Sequence, residues 1–337
     1  MTASQPKPAK AEKAAASPAR KLLLLLLRIA ISGGLLWLAF RNVKWTILIA
    51  SLRHMNGLWF MAAFLCLALQ IALAGLRWRL IVHACGLPLT ARAAVRYTYI
   101  ATFFNQTLPA SVGGDAARIW LLNRSHGNWK APLYSVVIDR SIGGIALALL
   151  VLACLPVAFT LIPGQAGRIA LLTVGLCCLA VFVLVLSVGA LPWAWIDRWT
   201  ATRQARAVAQ ISGRLFLFSV AGSAVVAMSI FIHILSAVAV WLIAHALSAP
   251  LPLTAALALV PLIMLIAMAP VSIAGWGVRE SATVAILAYA GVGNSDGFLI
   301  SVLFGAAAVF IGIIGGVLWI LSGNAGRTPP SLEGAAG

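Results

Sequence analysis

Long apolar runs separated by short basic segments organise the chain. The first, Leu22 to Phe40, continues without a cleavage site, so it predicts a retained span and not a signal peptide. Leu58 to Leu76 predicts the next crossing and is followed by Arg77, Arg79, Arg92 and Arg96. Val95 to Leu108 is too short for a comfortable crossing and ends in Asn105-Gln106-Thr107-Leu108-Pro109; Ala116 to Leu122 then resumes a short helix. Spans follow at Tyr134 to Phe159 and Ile169 to Leu191, and residues 193–213 read as an amphipathic helix on the inner leaflet. Leu215 to Leu247 reads as one long tilted span. Thr254 to Ala269 and Val278 to Ala290 form a second broken pair, and Phe298 to Leu321 crosses last. The expected architecture is all-α: a polytopic helical membrane protein with about six full spans and two broken, re-entrant helical hairpins, one from each side.

Composition agrees with that class. Of 337 residues, 62% are hydrophobic and 9% charged, with a mean hydropathy of +1.03. A soluble domain of this length needs a far more polar surface. Alternating ten-residue strand patterns are absent, which argues against an outer-membrane barrel. The 24 Lys and Arg against 7 Asp and Glu give a net charge of +17. These cations sit mainly between apolar runs, where cytoplasmic-loop bias and anionic headgroups explain them, and no nucleic-acid partner is expected.

Residues 1–21, with Lys7, Lys10, Lys13, Arg20 and Lys21, read as a disordered basic tail held in the cytoplasm. Residues 22–322 form a single transmembrane domain, and 323–337 a second cytoplasmic tail. The loop with Asp197, Arg198, Arg203, Arg206 and Arg214 also falls inside by parity, whereas Arg41, Lys44 and Arg53 fall in an outside connection anchored by Trp45 and Trp59. The five cysteines lack metal-ligand spacing and read as packing residues. His233 and His245 share a helix at a spacing of twelve and are expected near one face, as core or interfacial residues. No metal site is expected, and no nucleotide-binding motif calls for a cofactor.

A ten-residue pattern occurs twice. Pro109-Ala110-Ser111-Val112-Gly113-Gly114-Asp115-Ala116-Ala117-Arg118 recurs 161 residues on as Pro270-Val271-Ser272-Ile273-Ala274-Gly275-Trp276-Gly277-Val278-Arg279. Only four positions are identical, so coincidence is the alternative to a repeat. Both copies break apolar stretches, and parity gives them opposite orientations, as in an inverted-topology repeat with halves at about 58–160 and 215–322.

In each copy the outgoing half-helix starts inside the protein, and its unpaired amides and dipole favour an anion. Arg118 and Arg279 sit in that first turn, where a cation is unfavourable unless an anion lies close: a protein carboxylate or a ligand. Arginine suits phosphate or carboxylate because its planar fork donates two parallel hydrogen bonds. Asp115 can cap the first half-helix or pair with Arg118 three residues on. Asp139-Arg140 and Arg279-Glu280 are sequence neighbours, so each member is expected to look elsewhere, with cross-pairs such as Asp139 to Arg118 or Glu280 to Arg140. A purely structural ion-pair cluster is the alternative to a site. The candidate substrate-binding residues are Asn105, Gln106, Ser111, Gly113, Gly114, Asp115, Arg118, Asp139, Arg140, Ser272, Gly275, Gly277, Arg279 and Glu280. Asn105 and Gln106 either satisfy broken-helix backbone or contact a ligand.

The segment Asn105 to Arg118, then Asp139-Arg140, then Pro270 to Glu280, resembles the signatures of the lysylphosphatidylglycerol synthase transmembrane-region family, a flippase-like family, over about residues 20–325. It departs at Ala274, where that family usually has Gly, and at Trp276. The resemblance implies a bacterial inner-membrane protein that handles lipids. In two-part members this module moves aminoacylated phosphatidylglycerol between leaflets, and a soluble C-terminal domain makes it from aminoacyl-tRNA. The chain ends at Gly337 soon after its last span, so lysyl transfer is not expected. Stand-alone relatives are associated with glycolipid, polyprenyl-linked and hopanoid pathways.

The leading expectation is therefore a lipid transporter or flippase for an anionic phospho- or glycolipid, passive or coupled to an ion gradient, with no catalytic residue. One rival is an intramembrane enzyme acting on a lipid phosphate, with Asp115, Asp139 or Glu280 as acid or base. The other is a non-catalytic scaffold for a lipid or hopanoid biosynthesis enzyme. Nothing in the sequence points to an oligomeric state.

Overall fold

The computed structural model describes residues 45–107, 113–127, 129–187, 200–268 and 276–324. The first apolar run, both tails, the start of the basic loop, and the Pro109–Val112 and Pro270–Gly275 parts of the two decapeptides lie outside them. Among the described residues there are twelve α-helices and no strand.

A short helix, α1 (Trp45–Arg53), precedes α2 (Gly57–Ala84), which Asn56 starts by accepting from the Leu58 amide at 3.0 Å. α2 has 28 residues and is about 42 Å long at ~1.5 Å per residue. It therefore extends beyond the predicted Leu58–Leu76, and Arg77 and Arg79 lie within it, not in a loop. α3 (Ala91–Thr107) and α4 (Gly113–His126) are the two arms of the first break. α5 (Lys130–Ala153) and α6 (Leu155–Leu161) replace the single span predicted at Tyr134 to Phe159. The cause is Pro156 in the first turn of α6: it has no N–H to continue the ladder from α5.

α7 (Gln165–Ser187) is followed by α8 (Thr200–Phe218), the amphipathic helix expected at 193–213, displaced toward the C-terminus. α8 buries Val208 and Leu215 against Ile81 and Ile138. α9 (Val220–Ala246) corrects the expectation of one span from Leu215 to Leu247. Ser219 is extended between the helices (φ −139°, ψ 142°); its Oγ accepts from the Gly222 amide at 3.2 Å and donates to the Leu215 carbonyl at 2.7 Å. A hydroxyl that satisfies both helix ends makes a break cheaper than continuation. The second break separates α10 (Leu253–Ala267) from α11 (Val278–Leu287), and α12 (Asn294–Trp319) completes the bundle.

Among the described residues, four helices are long and apolar enough to cross a membrane: α2, α5, α9, and α12 with its continuation to Ser322. Their outward faces present Leu58, Leu65, Val226, Phe310 and Ile313, surface suited to hydrocarbon and not to water. The protein is an all-α polytopic membrane protein.

The order of helices repeats. Starts at residues 57, 91, 113 and 130 recur at 220, 253, 278 and 294. Packing repeats with them: α2 lies along its counterpart α9, α3 packs on α12 as α10 packs on α5, and each break folds back on its own half. Gly315 shows how close one of these crossings is. A Cβ there would lie 2.6 Å from the Tyr99 carbonyl carbon, so α12 and α3 meet backbone to backbone.

Candidate functional site

The first break is held by side chains of α3. Asn105 Oδ1 accepts from the Gly114 amide at 2.9 Å, which satisfies one of the unpaired donors at the start of α4. Gly114 must be glycine: a Cβ would collide with the Ala101 carbonyl and the Asn105 amide. Gln106 turns the other way and lies against Gly312 of α12.

Asp115 and Arg118, one turn into α4, meet Asp139 and Arg140 of α5 and Arg77 of α2 in a continuous chain of ion pairs. Arg77 approaches Asp139 Oδ1 through Nε at 2.9 Å and Nη2 at 2.8 Å, while its Nη1 donates to Ser229 of α9 at 3.1 Å. Arg118 donates through Nη1 to Asp139 Oδ2 at 2.9 Å and through Nη2 to Asp115 Oδ1 at 2.6 Å. It also lies 5.1 Å from the Trp78 ring centroid. Arg140 Nε donates to Asp115 Oδ2 at 2.8 Å. The cation that the dipole of α4 disfavours is thus answered by two protein carboxylates. Three arginines against two aspartates leave this chain at +1. Its members are buried except Arg140, whose side chain is 48% exposed and has two terminal nitrogens beyond the one contact.

The second break is more local. Gly277 precedes α11 at φ 87°, a conformation that favours glycine, and its amide donates to Glu280 Oε2 at 2.6 Å. Glu280 Oε1 accepts from Arg279 Nη2 at 2.6 Å and Nε at 3.1 Å, and from Ser301 of α12 at 3.3 Å. Sequence neighbours do pair here, against the expectation that Arg279 and Glu280 would each look elsewhere. The long arginine stem folds back over the first turn, stacked 5.0 Å from Trp276 and 5.7 Å from Phe304. Asp139 with Arg118 forms as expected; Glu280 with Arg140 does not, because Glu280 is occupied within its own half. All six carboxylate oxygens of Asp115, Asp139 and Glu280 accept from protein donors.

A cavity of about 450 Å³ lies between the two breaks. Of the expected site residues it brings together Asn105, Asp115, Arg118, Asp139, Arg140 and Arg279. Gln106, Gly113, Gly114, Gly277 and Glu280 stand behind this lining, and Ser111, Ser272 and Gly275 lie outside the described residues. The cavity lining also carries polar residues that sequence reading did not assign: Gln70 of α2 with Ser236 and His233 of α9. Ser236 Oγ donates to Gln70 Oε1 at 3.1 Å, and His233 Nε2 donates to the Gly143 carbonyl at 2.9 Å. His245 faces elsewhere, stacked on Trp241 at 4.3 Å, so the two histidines do not share a face. Arg77 was legible in part: apolar Leu80, Ile81 and Val82 after it place it within a helix.

An ion-paired cavity inside a bundle of apolar helices is suited to holding the polar end of an amphiphile while its chains remain in hydrocarbon. No curated protein sequence matches the chain. Residues 25–316 match the family model described as the lysylphosphatidylglycerol synthase TM region, and the chain belongs to that family.

Proposed function

We propose that this protein is a lipid transporter of the flippase type, moving or presenting an anionic phospho- or glycolipid between leaflets of the bacterial cell membrane. Family membership supports a link to lipid handling. The observation that carries the reading further is the cavity, which places Arg140 of the first half and Arg279 of the second around one polar space among apolar helices. In this reading the two breaks are re-entrant, the halves have opposite orientation, and both termini face the cytoplasm. The lipid passes without covalent change: each carboxylate of the cluster is already held by protein donors.

Reconstitution into vesicles tests the proposal. Arg140→Glu and Arg279→Gln should each slow translocation of a labelled anionic phospholipid about tenfold or more, the effect of losing a charge-assisted contact. Both variants should still elute as monodisperse protein. Wild-type rates in both would refute the role given to this cavity.

A further inference from the structure

One face of α12 is shaped around the side chain of Arg279. Phe304 and Gly305 follow Ser301 by three and four residues, so the three lie on one side of the helix. The Ser301 hydroxyl accepts from Arg279 Nε at 3.2 Å, and the Phe304 ring centroid is 5.7 Å from the guanidinium carbon. Gly305 supplies room. A Cβ there would stand 3.1 Å from that carbon and collide with Nη2, the nitrogen that reaches Glu280 Oε1 at 2.6 Å. It would also lie 3.1 Å from the Trp276 ring, which stacks on the same guanidinium.

Gly305 thus differs from the glycines that let helices meet. A Cβ at Gly75 or Gly315 would press on the backbone of α3, the common use of small residues where membrane helices cross. At Gly305 the three nearest atoms are all side-chain atoms of Arg279 and Trp276. We infer that Gly305 is a positioning residue, which seats Arg279 against Glu280 and so limits what its guanidinium offers the cavity. The inference rests on the lipid-handling reading above and adds to it a residue that acts on the lipid only through Arg279.

Seated, Arg279 gives Nε to Glu280 and Ser301 and Nη2 to Glu280. Nη1 alone has no partner among the described residues, although Arg279 lines the cavity with its side chain 11% exposed. A phosphate that meets the seated guanidinium finds one terminal donor. Evicting Nη2 changes that count: both terminal nitrogens become free and can grip a phosphate through two parallel hydrogen bonds. The fold tolerates the eviction, because the colliding atoms are the far end of a flexible side chain. Glu280 keeps Nε at 3.1 Å, the Ser301 hydroxyl at 3.3 Å and the Gly277 amide at 2.6 Å. A carrier must release what it binds, so a tighter grip slows the passage of the lipid.

The test joins a chemical readout of the side chain to two lipid readouts, all on the full chain. Phenylglyoxal adds to accessible guanidinium groups, and peptide mass spectrometry locates the adduct. Arg279 should react about fivefold faster in Gly305→Ala than in wild type, the effect of freeing one charge-assisted contact. Native mass spectrometry should show Gly305→Ala retaining phosphatidylglycerol about fivefold more strongly, whereas Arg279→Gln retains it less. In vesicles both variants should move labelled phosphatidylglycerol more slowly than wild type. A merely structural lesion lowers retention and rate together. Lysine has one terminal nitrogen and none to evict, so in an Arg279→Lys background Gly305→Ala should change retention by less than about twofold. Unchanged reactivity of Arg279 in Gly305→Ala overturns the inference. So do weaker retention, an undiminished effect in the lysine background, or a wild-type rate in Gly305→Ala while Arg279→Gln is slow. Faster reaction and tighter retention with wild-type rates in both single variants refute transport through this cavity and leave the role of Gly305 standing.

Discussion

Replacing Arg77 by methionine keeps the apolar stem of the side chain and removes only its guanidinium. Three contacts disappear: Nε and Nη2 to Asp139 Oδ1 at 2.9 and 2.8 Å, and Nη1 to Ser229 at 3.1 Å. Arg77 and Asp139 are 9% and 4% exposed in their side chains, so water cannot take over. Asp139 is left with Arg118 alone, and Arg118 is already shared with Asp115. Removing one member of a buried pair costs about 3–5 kcal/mol. In a chain of this size that lowers the melting midpoint by roughly 4–7 °C. Intrinsic tryptophan fluorescence during heating of detergent-solubilised protein reads the change. The exposed Arg203→Ala is the control and should shift stability by less than about 0.5 kcal/mol. The pair Arg77→Met/Asp139→Leu should recover much of the loss, because an apolar replacement leaves no stranded carboxylate. The reasoning fails if Arg77→Met melts within about 1 kcal/mol of wild type, or if the double variant is less stable than the single.

Gly315→Ala should force α12 from α3 and cost about 1–3 kcal/mol, while Gly57→Ala, with open space around its Cβ, should be neutral in the same melting assay. Ser219→Ala removes the hydroxyl at the α8–α9 junction and should cost about 1 kcal/mol, seen as earlier melting and faster proteolysis between Phe218 and Gly222. Burial pushes the Cys85 thiol, just beyond α2, up to about 12. The native state therefore keeps its proton where an unfolded thiol, near ~8.5, has lost it. The stability this contributes is present below that value and falls as pH rises toward 12. Maleimide at pH 8.5 should label Cys85 slowly until denaturant is added.

What the sequence made legible followed from physics that acts locally. Apolar run length marked the four described helices long enough to cross a membrane, and proline and glycine marked both breaks, because backbone in hydrocarbon must satisfy itself. Asp139 with Arg118 was foreseeable, since two such charges among apolar neighbours need partners. The errors have equally local causes. The apolar runs pass through Pro156 and Ser219 without a change in hydrophobicity, so run length hid both junctions. Arg77 was assigned to a basic cluster because Arg79, Arg92 and Arg96 follow it; only packing shows that it turns inward while its neighbours do not. Arg279 with Glu280 depended on the flexible path of one long side chain, which residue spacing does not specify. The polar pair of Gln70 and Ser236 was invisible because Gln70 lies in α2 and Ser236 in α9, brought together only by the pairing of the two halves.

The two halves differ in how firmly they are wired. In the first, ion pairs join Arg77 of α2 and both Asp115 and Arg118 of α4 to Asp139 and Arg140 of α5, and reach α9 through Ser229. In the second, Arg279 and Glu280 close on each other within α11, and among the described residues Ser301 of α12 is their one side-chain hydrogen-bond partner outside it, beside the Phe304 ring. Displacing α4 would tear apart charges that have no water to receive them. Displacing α11 would carry its charge pair along intact. Ion pairing is therefore lopsided across the fold: displacing the first break separates buried charges, and displacing the second does not.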